Sequence, residues 1–274
     1  MIPDTWQRRF KWTVYTLLLI NFFIYVYQDI ESAAYTLGAD SSLLHWARAY
    51  VTTIDLIAWF LLIAFFELET GVLAGRLEAG GRRRTVQAVR ILCYVAILHT
   101  TFADVSILRD FQTAVRLPAS ADLCAYADGS WSFLENRDYT TIEPDNCTTI
   151  GSGPEFFAID PEPVVTDRAG LHEAVVLAWT DLAENIAWLL IVLANEIIVR
   201  MQTRGITGGT ALALVNRPKV ALYAVIVGIA CYWASKGQFL YFWDEILWVG
   251  GFLAIEGNLH AHRLRVRASR RPAD

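Results

Sequence analysis

Apolar residues gather into six long runs, at about 12–28, 43–72, 88–108, 170–202, 219–236 and 240–262, each closed by a polar link. A helix of roughly 20 apolar residues crosses a bilayer. The pattern therefore predicts an all-α integral membrane protein with six transmembrane helices, arranged as three tandem helical hairpins. Asp40-Ser41-Ser42 offers a helix N-cap for the second run, and a short turn near Gly237 joins the fifth to the sixth. One link is far longer than the rest. Residues 109–168 are rich in Pro, Gly, Asp and Glu and read as a small loop domain outside the membrane. The chain thus divides into 1–108 (first hairpin and third helix), 109–168 (extracytoplasmic loop domain) and 169–274 (helices four to six with a basic tail).

Inside the apolar runs one spacing recurs: an acid, Trp four residues on, and Glu eight residues after the Trp. It reads Asp55-Trp59-Glu67, Glu184-Trp188-Glu196 and Asp244-Trp248-Glu256, with Ile57, Ile186 and Ile246 two residues before each Trp. Each copy falls on the second helix of its hairpin, which is how an internal repeat looks. Four residues turn a helix by about 40°, so acid and Trp share a face; the two carboxylates of a copy lie roughly 18 Å apart along the axis.

Charge sets the orientation. The N-terminus (Arg8, Arg9, Lys11), the link with Arg76, Arg82, Arg83, Arg84 and Arg90, the link with Arg200, Arg204, Arg217 and Lys219, and the Arg-rich tail all fall on one side of a six-span chain. The positive-inside rule makes that side cytoplasmic and places residues 109–168 in the periplasm of a bacterial cell, with the chain in the inner membrane. A basic start, a short apolar core and Ser32-Ala33-Ala34 also fit a cleaved signal peptide; the repeat favours retention of this helix. Ten Trp and eleven Tyr suit membrane interfaces. From residue 104 to 168 there are twelve acids and four Arg, a surface that is either simply solvated or attracts cations. Cys124 and Cys147, in the outer segment, are expected to form a disulfide. Cys93 and Cys231 lie in apolar runs and read as small buried residues.

A charged acid in a bilayer costs on the order of 2.5–3.5 kcal/mol on insertion scales and normally faces protein or water. The candidate ion-binding or pathway residues are Asp55, Glu67, Asp181, Glu184, Glu196, Asp244 and Glu256, with Trp59, Trp188 and Trp248 lining or packing and Lys236 and His99 as counter-ions. A plainer reading also exists. Acids at helix N-termini complement the macrodipole, which accounts for Asp55, Glu184 and Asp244 without any function. Glu67, Glu196 and Glu256 lie toward C-termini and would need Arg76, Arg90, Arg200 or Arg263 as interfacial partners. Gly250-Gly251 permits close helix packing.

These features point to a cation or proton channel or transporter embedded in lipid, as a homo-oligomer or part of a larger membrane complex. The competing class is a non-catalytic scaffold or accessory subunit whose acids are ion-pair glue. A third, a metalloenzyme, would rest on Glu256, His260 and His262 on one helical turn. No nucleotide-binding or hydrolase motif and no basic patch for nucleic acid occurs in the sequence, and it calls for no metal or other cofactor.

Overall fold

The computed structural model describes residues 4–38, 41–70, 81–118, 122–151, 153–206 and 208–253. The chain is mostly helical. In order come α1 (Asp4–Thr36), α2 (Leu43–Ala49), α3 (Val51–Thr70), α4 (Gly81–Gln112), a sheet-bearing segment, α5 (Arg168–Thr203) and α6 (Thr210–Ser235). Residues 239–253 form a further helix, α7. Among the described residues four helices are long and apolar enough to cross a membrane: Arg8–Thr36, Arg84–Gln112, Arg168–Ile198 and Thr210–Ser235. The bent pair α2–α3 makes a fifth if counted as one span. The expected sixth run begins in α7, and its remainder lies outside the described residues.

The expected second span is not one straight helix. It breaks at Tyr50, and α2 and α3 meet at 69°. Ser42 caps α2, accepting from the backbone N–H of His45, as the sequence suggested. The restart leaves the first N–H groups of α3 without intrahelical partners. Asp29 of α1 supplies one: its Oδ2 accepts from Thr53 N at 2.8 Å and from Thr53 Oγ1 at 2.7 Å. The fifth run also differs from expectation, since α6 starts at Thr210 and carries Arg217, Pro218 and Lys219 inside the helix. Pro218 has no N–H to give the helix ladder, yet α6 extends through it.

Residues 109–168 hold more order than a stapled loop. Five short strands, β1 (Val115–Arg116), β2 (Ser132–Glu135), β3 (Asp138–Thr141), β4 (Phe156–Ile159) and β5 (Val164–Asp167), form one sheet in the order β1-β4-β5-β2-β3. The β2–β5 pair is parallel and the rest antiparallel. Phe133, Ile142, Val165, Leu123 and Cys147 make its core, and the expected Cys124–Cys147 disulfide staples it with Cα atoms 4.9 Å apart. The bridge closes a loop of 23 residues, worth about 3 kcal/mol in the chain-entropy model. Replacing both cysteines by Ser is expected to lower the stability of the sheet domain by about that amount, read as a shift in the denaturant midpoint of the domain's transition.

The chain packs as two compact units, each discontinuous in sequence: Met1–Ile24, Leu62–Ala88 and Leu190–Asp274 in the first, Tyr25–Leu61 and Val89–Leu189 in the second. In the first, α7 lies against α1 where Gly250 and Gly251 leave room; a Cβ at Gly251 would stand 3.6 Å from Val14 and 3.8 Å from Leu18. Ile226, Ala230 and Trp233 of α6 are fully buried. In the second unit Leu108 of α4 packs on Ala178 and Leu182 of α5. The sheet rests on the start of α5 through Leu134, Ile159, Val164 and Ala174. Cys93 is buried as expected, but Cys231 is exposed. Ala230 and Trp233 hold the inward face of α6, and the intervening position turns outward by helical periodicity.

Candidate functional site: a carboxylate network in the second unit

The repeated spacing has a clear structural meaning at its centre. Trp59, Trp188 and Trp248 are all buried, while Ile57 and Ile186 are exposed. A two-residue step turns a helix by about 200°, so a Trp that faces protein sends that Ile to the opposite side. The acid and Trp of the first two copies lie in the second unit, where the Trp59 and Trp188 rings stand edge to face at 6.2 Å. Asp244 and Trp248 of the third copy belong to the first unit. There Trp248 Nε1 donates to Asp244 Oδ2 at 3.1 Å, the one-turn contact that the four-residue spacing allows. Asn21 of α1 donates to the other oxygen at 3.0 Å.

The second unit gathers most of the acids. Asp29 caps α3 through Thr53. Asp55 Oδ1 accepts from Thr100 Oγ1 of α4 at 2.9 Å. Asp104 Oδ2 accepts from Asn185 Nδ2 of α5 at 3.1 Å, and Asn185 Oδ1 accepts from Thr101 Oγ1 at 3.1 Å. Asp181 pairs with Arg137 at 2.5 Å. Asp104 also lies within electrostatic reach of Asp181, Asp55 and Arg137. Glu184 and Asn185 each lie three or four residues from both Asp181 and Trp188, so α5 presents the four along one side.

Local structure explains these placements. Asp29 and Asp104 lie about two turns inside the C-terminal ends of α1 and α4; hydroxyl, amide and N–H donors answer them. Arg137 arrives from the sheet. It is the second residue of the two-residue turn between β2 and β3, and both turn residues have positive φ (Asn136 47°, Arg137 73°). Asn tolerates that region and Arg does not. The ion pair with Asp181 helps hold Arg137 there.

A second cluster ties α2 to the sheet. Arg48 contacts Asp110 Oδ2 at 2.6 Å, Ser106 Oγ at 3.0 Å and Glu162 Oε1 at 3.1 Å. Glu162 lies between β4 and β5. Burial, with Asp110 adding to it, raises its carboxyl above the usual range, and Arg48 draws it back.

Glu196 has Arg200 one turn on, at 3.8 Å. Arg200 is 75% exposed, so this pair adds little. Lys236 lies over the Tyr232 ring at 5.9 Å. His99 has a buried Nδ1 without a hydrogen-bond partner. Glu67 lies on α3, and its side chain is outside what the structure describes; Glu256, His260 and His262 are outside the described residues altogether. Among the described residues no group of three or more His, Cys, Asp or Glu is placed to hold a metal.

Sequence reasoning missed the polar partners Asn21, Asn185 and Thr100, and the cations Arg48, Arg137 and Lys219. Lys219 is buried and donates to Asn195 at 3.1 Å. A lone Arg or Asn in an apolar run was the available signal for Arg48, Asn21 and Asn185. Nothing local marks Arg137. No family model, curated protein or solved structure matches this chain.

Proposed function

We propose that this chain is a bacterial inner-membrane protein that moves protons or small cations through the carboxylate network of its second unit. One observation carries the reading. Asp29, Asp55 and Asp104 accept hydrogen bonds from hydroxyl, amide and N–H donors, and Asp104 has two further acids, Asp55 and Asp181, within electrostatic reach as well as Arg137. Acids held this way inside a membrane attract a proton or a cation. Glu184 extends the acid face of α5, and the buried Trp59 and Trp188 pack together within the same unit. The acidic sheet domain, placed in the periplasm by the positive-inside rule, would concentrate cations at the entrance.

The test is flux in liposomes loaded with a pH-sensitive dye and energised by a potassium gradient with valinomycin. Asp104→Asn and Asp55→Asn are each expected to cut proton or cation flux at least tenfold, with folding checked by the melting transition. Arg168→Gln, at the sheet surface, is expected to leave flux unchanged. Full flux in both Asp variants rejects the network as the route.

A second reading is favoured by a different observation. Arg48 and Arg137 fasten the sheet domain to the helices through partly buried ion pairs, as a rigid docking platform would require. Co-purification of a stoichiometric partner, together with absent flux from the isolated protein, would select it.

A further inference from the structure

We infer that α2 is an interfacial anchor that lies in the outer headgroup layer and buries Leu43 and Trp46 in lipid. The inference rests on the membrane reading above and adds a lipid contact to it. Three observations combine. First, α2 is two-faced. At about 100° per residue, Leu43, Trp46, Ala47 and Tyr50 share one arc, and His45 and Arg48 lie on the other. Leu43 is 88% exposed and Trp46 48%, while Arg48 is turned into the protein and Leu44 lies between the two faces.

Second, the depth of α2 within its unit is fixed. Arg48 is bonded to Ser106 and Asp110 in the last two turns of α4, and to Glu162 of the sheet domain. That is the level at which a span gives way to polar structure. Third, the direction is right. α2 leaves the axis of α3 at 69° across a one-residue break, so a helix that follows a span across the membrane is joined to one lying near its surface. α3 also carries exposed apolar residues, Ile57 and Leu61, as a helix in contact with lipid would.

Lipid is therefore the occupant this face fits. A Leu beside a Trp that is stacked on Tyr50 at 6.0 Å is the composition that settles at the boundary of headgroups and acyl chains. An aqueous position would leave these side chains in water beside a polar sheet, with no apolar area recovered.

Spin labels test this in the full chain reconstituted in lipid nanodiscs. The background carries Cys93→Ser and Cys231→Ser with the disulfide kept. Labels are placed at Leu43→Cys and Trp46→Cys, with Leu98→Cys on the exposed face of α4 as the span control. Accessibility to oxygen is compared with accessibility to a water-soluble nickel chelate. The expected result is a several-fold preference for oxygen at 43 and 46, at a shallower depth than at 98. A lipid-facing 98 with water-facing 43 and 46 overturns the anchor and leaves the membrane reading standing. Labels at 43 and 46 closed to both reagents overturn it in favour of a covering protein. A water-facing 98 removes the membrane reading itself, and the anchor with it.

Discussion

Arg48→Met is expected to destabilise the second unit by roughly 3–4 kcal/mol, the lower part of the range for breaking a buried ion pair. Methionine keeps most of the packed stem and removes the charge, so the loss reports electrostatics. Two carboxylates, Asp110 and Glu162, would remain about 80% enclosed without the guanidinium that now faces both; their side chains are 20% and 21% exposed. The loss should depend on pH in a defined sense. Burial raises the Glu162 carboxyl in the folded protein. A carboxyl raised on folding favours the native state when protonated, so its contribution is whole below the usual glutamate range and is lost as pH rises through the raised value. Removing Arg48 raises that carboxyl further. The gap between wild type and Arg48→Met should therefore be small in acid and widen toward neutrality. Melting transitions of the detergent-solubilised protein across this range measure it, and Glu162→Gln in the Arg48→Met background should recover part of the loss. A gap independent of pH would mean that Arg48 acts through packing alone.

Gly170→Ala is expected to cost roughly 3–5 kcal/mol, opposite in sign to the usual gain from this change in a helix. Asp167 caps α5 by accepting from Gly170 N at 2.7 Å, and the cap draws the first turn of the helix against the sheet. A Cβ at position 170 would land on Thr166 Oγ1 and stand 3.1 Å from the Leu134 carbonyl oxygen. Thr166 is fully buried and donates to that same carbonyl at 2.7 Å. The methyl must displace the hydroxyl, leaving a buried acceptor unsatisfied at about 1–3 kcal/mol and overpacking the site by a similar amount. Thr166→Ala removes the obstacle, so the double variant should be no less stable than Gly170→Ala alone. Strict additivity in this cycle, measured by denaturant unfolding, would show that the contact is not the cause.

The two sites differ in how far the sequence reveals them. Gly170 follows Thr166-Asp167-Arg168, and an acid three residues ahead of a helix position is a recognisable capping signal. That the same glycine must admit a threonine hydroxyl bonded to β2 is visible only once β2 and α5 are together. Arg48 could be noticed as one cation in an apolar run. Its partners at 110 and 162 could not.

The sequence by itself determined the apolar spans, the shared face of acid and Trp in the repeated spacing, the Cys124–Cys147 pairing and the close-packing glycines at 250 and 251. Each follows from local periodicity or composition, because water and lipid act on every turn of helix in the same way. Only the tertiary structure decided the break at Tyr50, the five-stranded sheet and the partners of the acids. The strands are four residues or fewer, and β2 is buried at three of its four positions, so no alternation marks it. The acids are answered from far along the chain: Asp244 by Asn21, 223 residues away, Asp104 by Asn185, 81 away, and Asp181 by Arg137, 44 away. A carboxylate in an apolar run states that it needs a donor; which donor reaches it is settled by the packing of whole helices, and that information is not local.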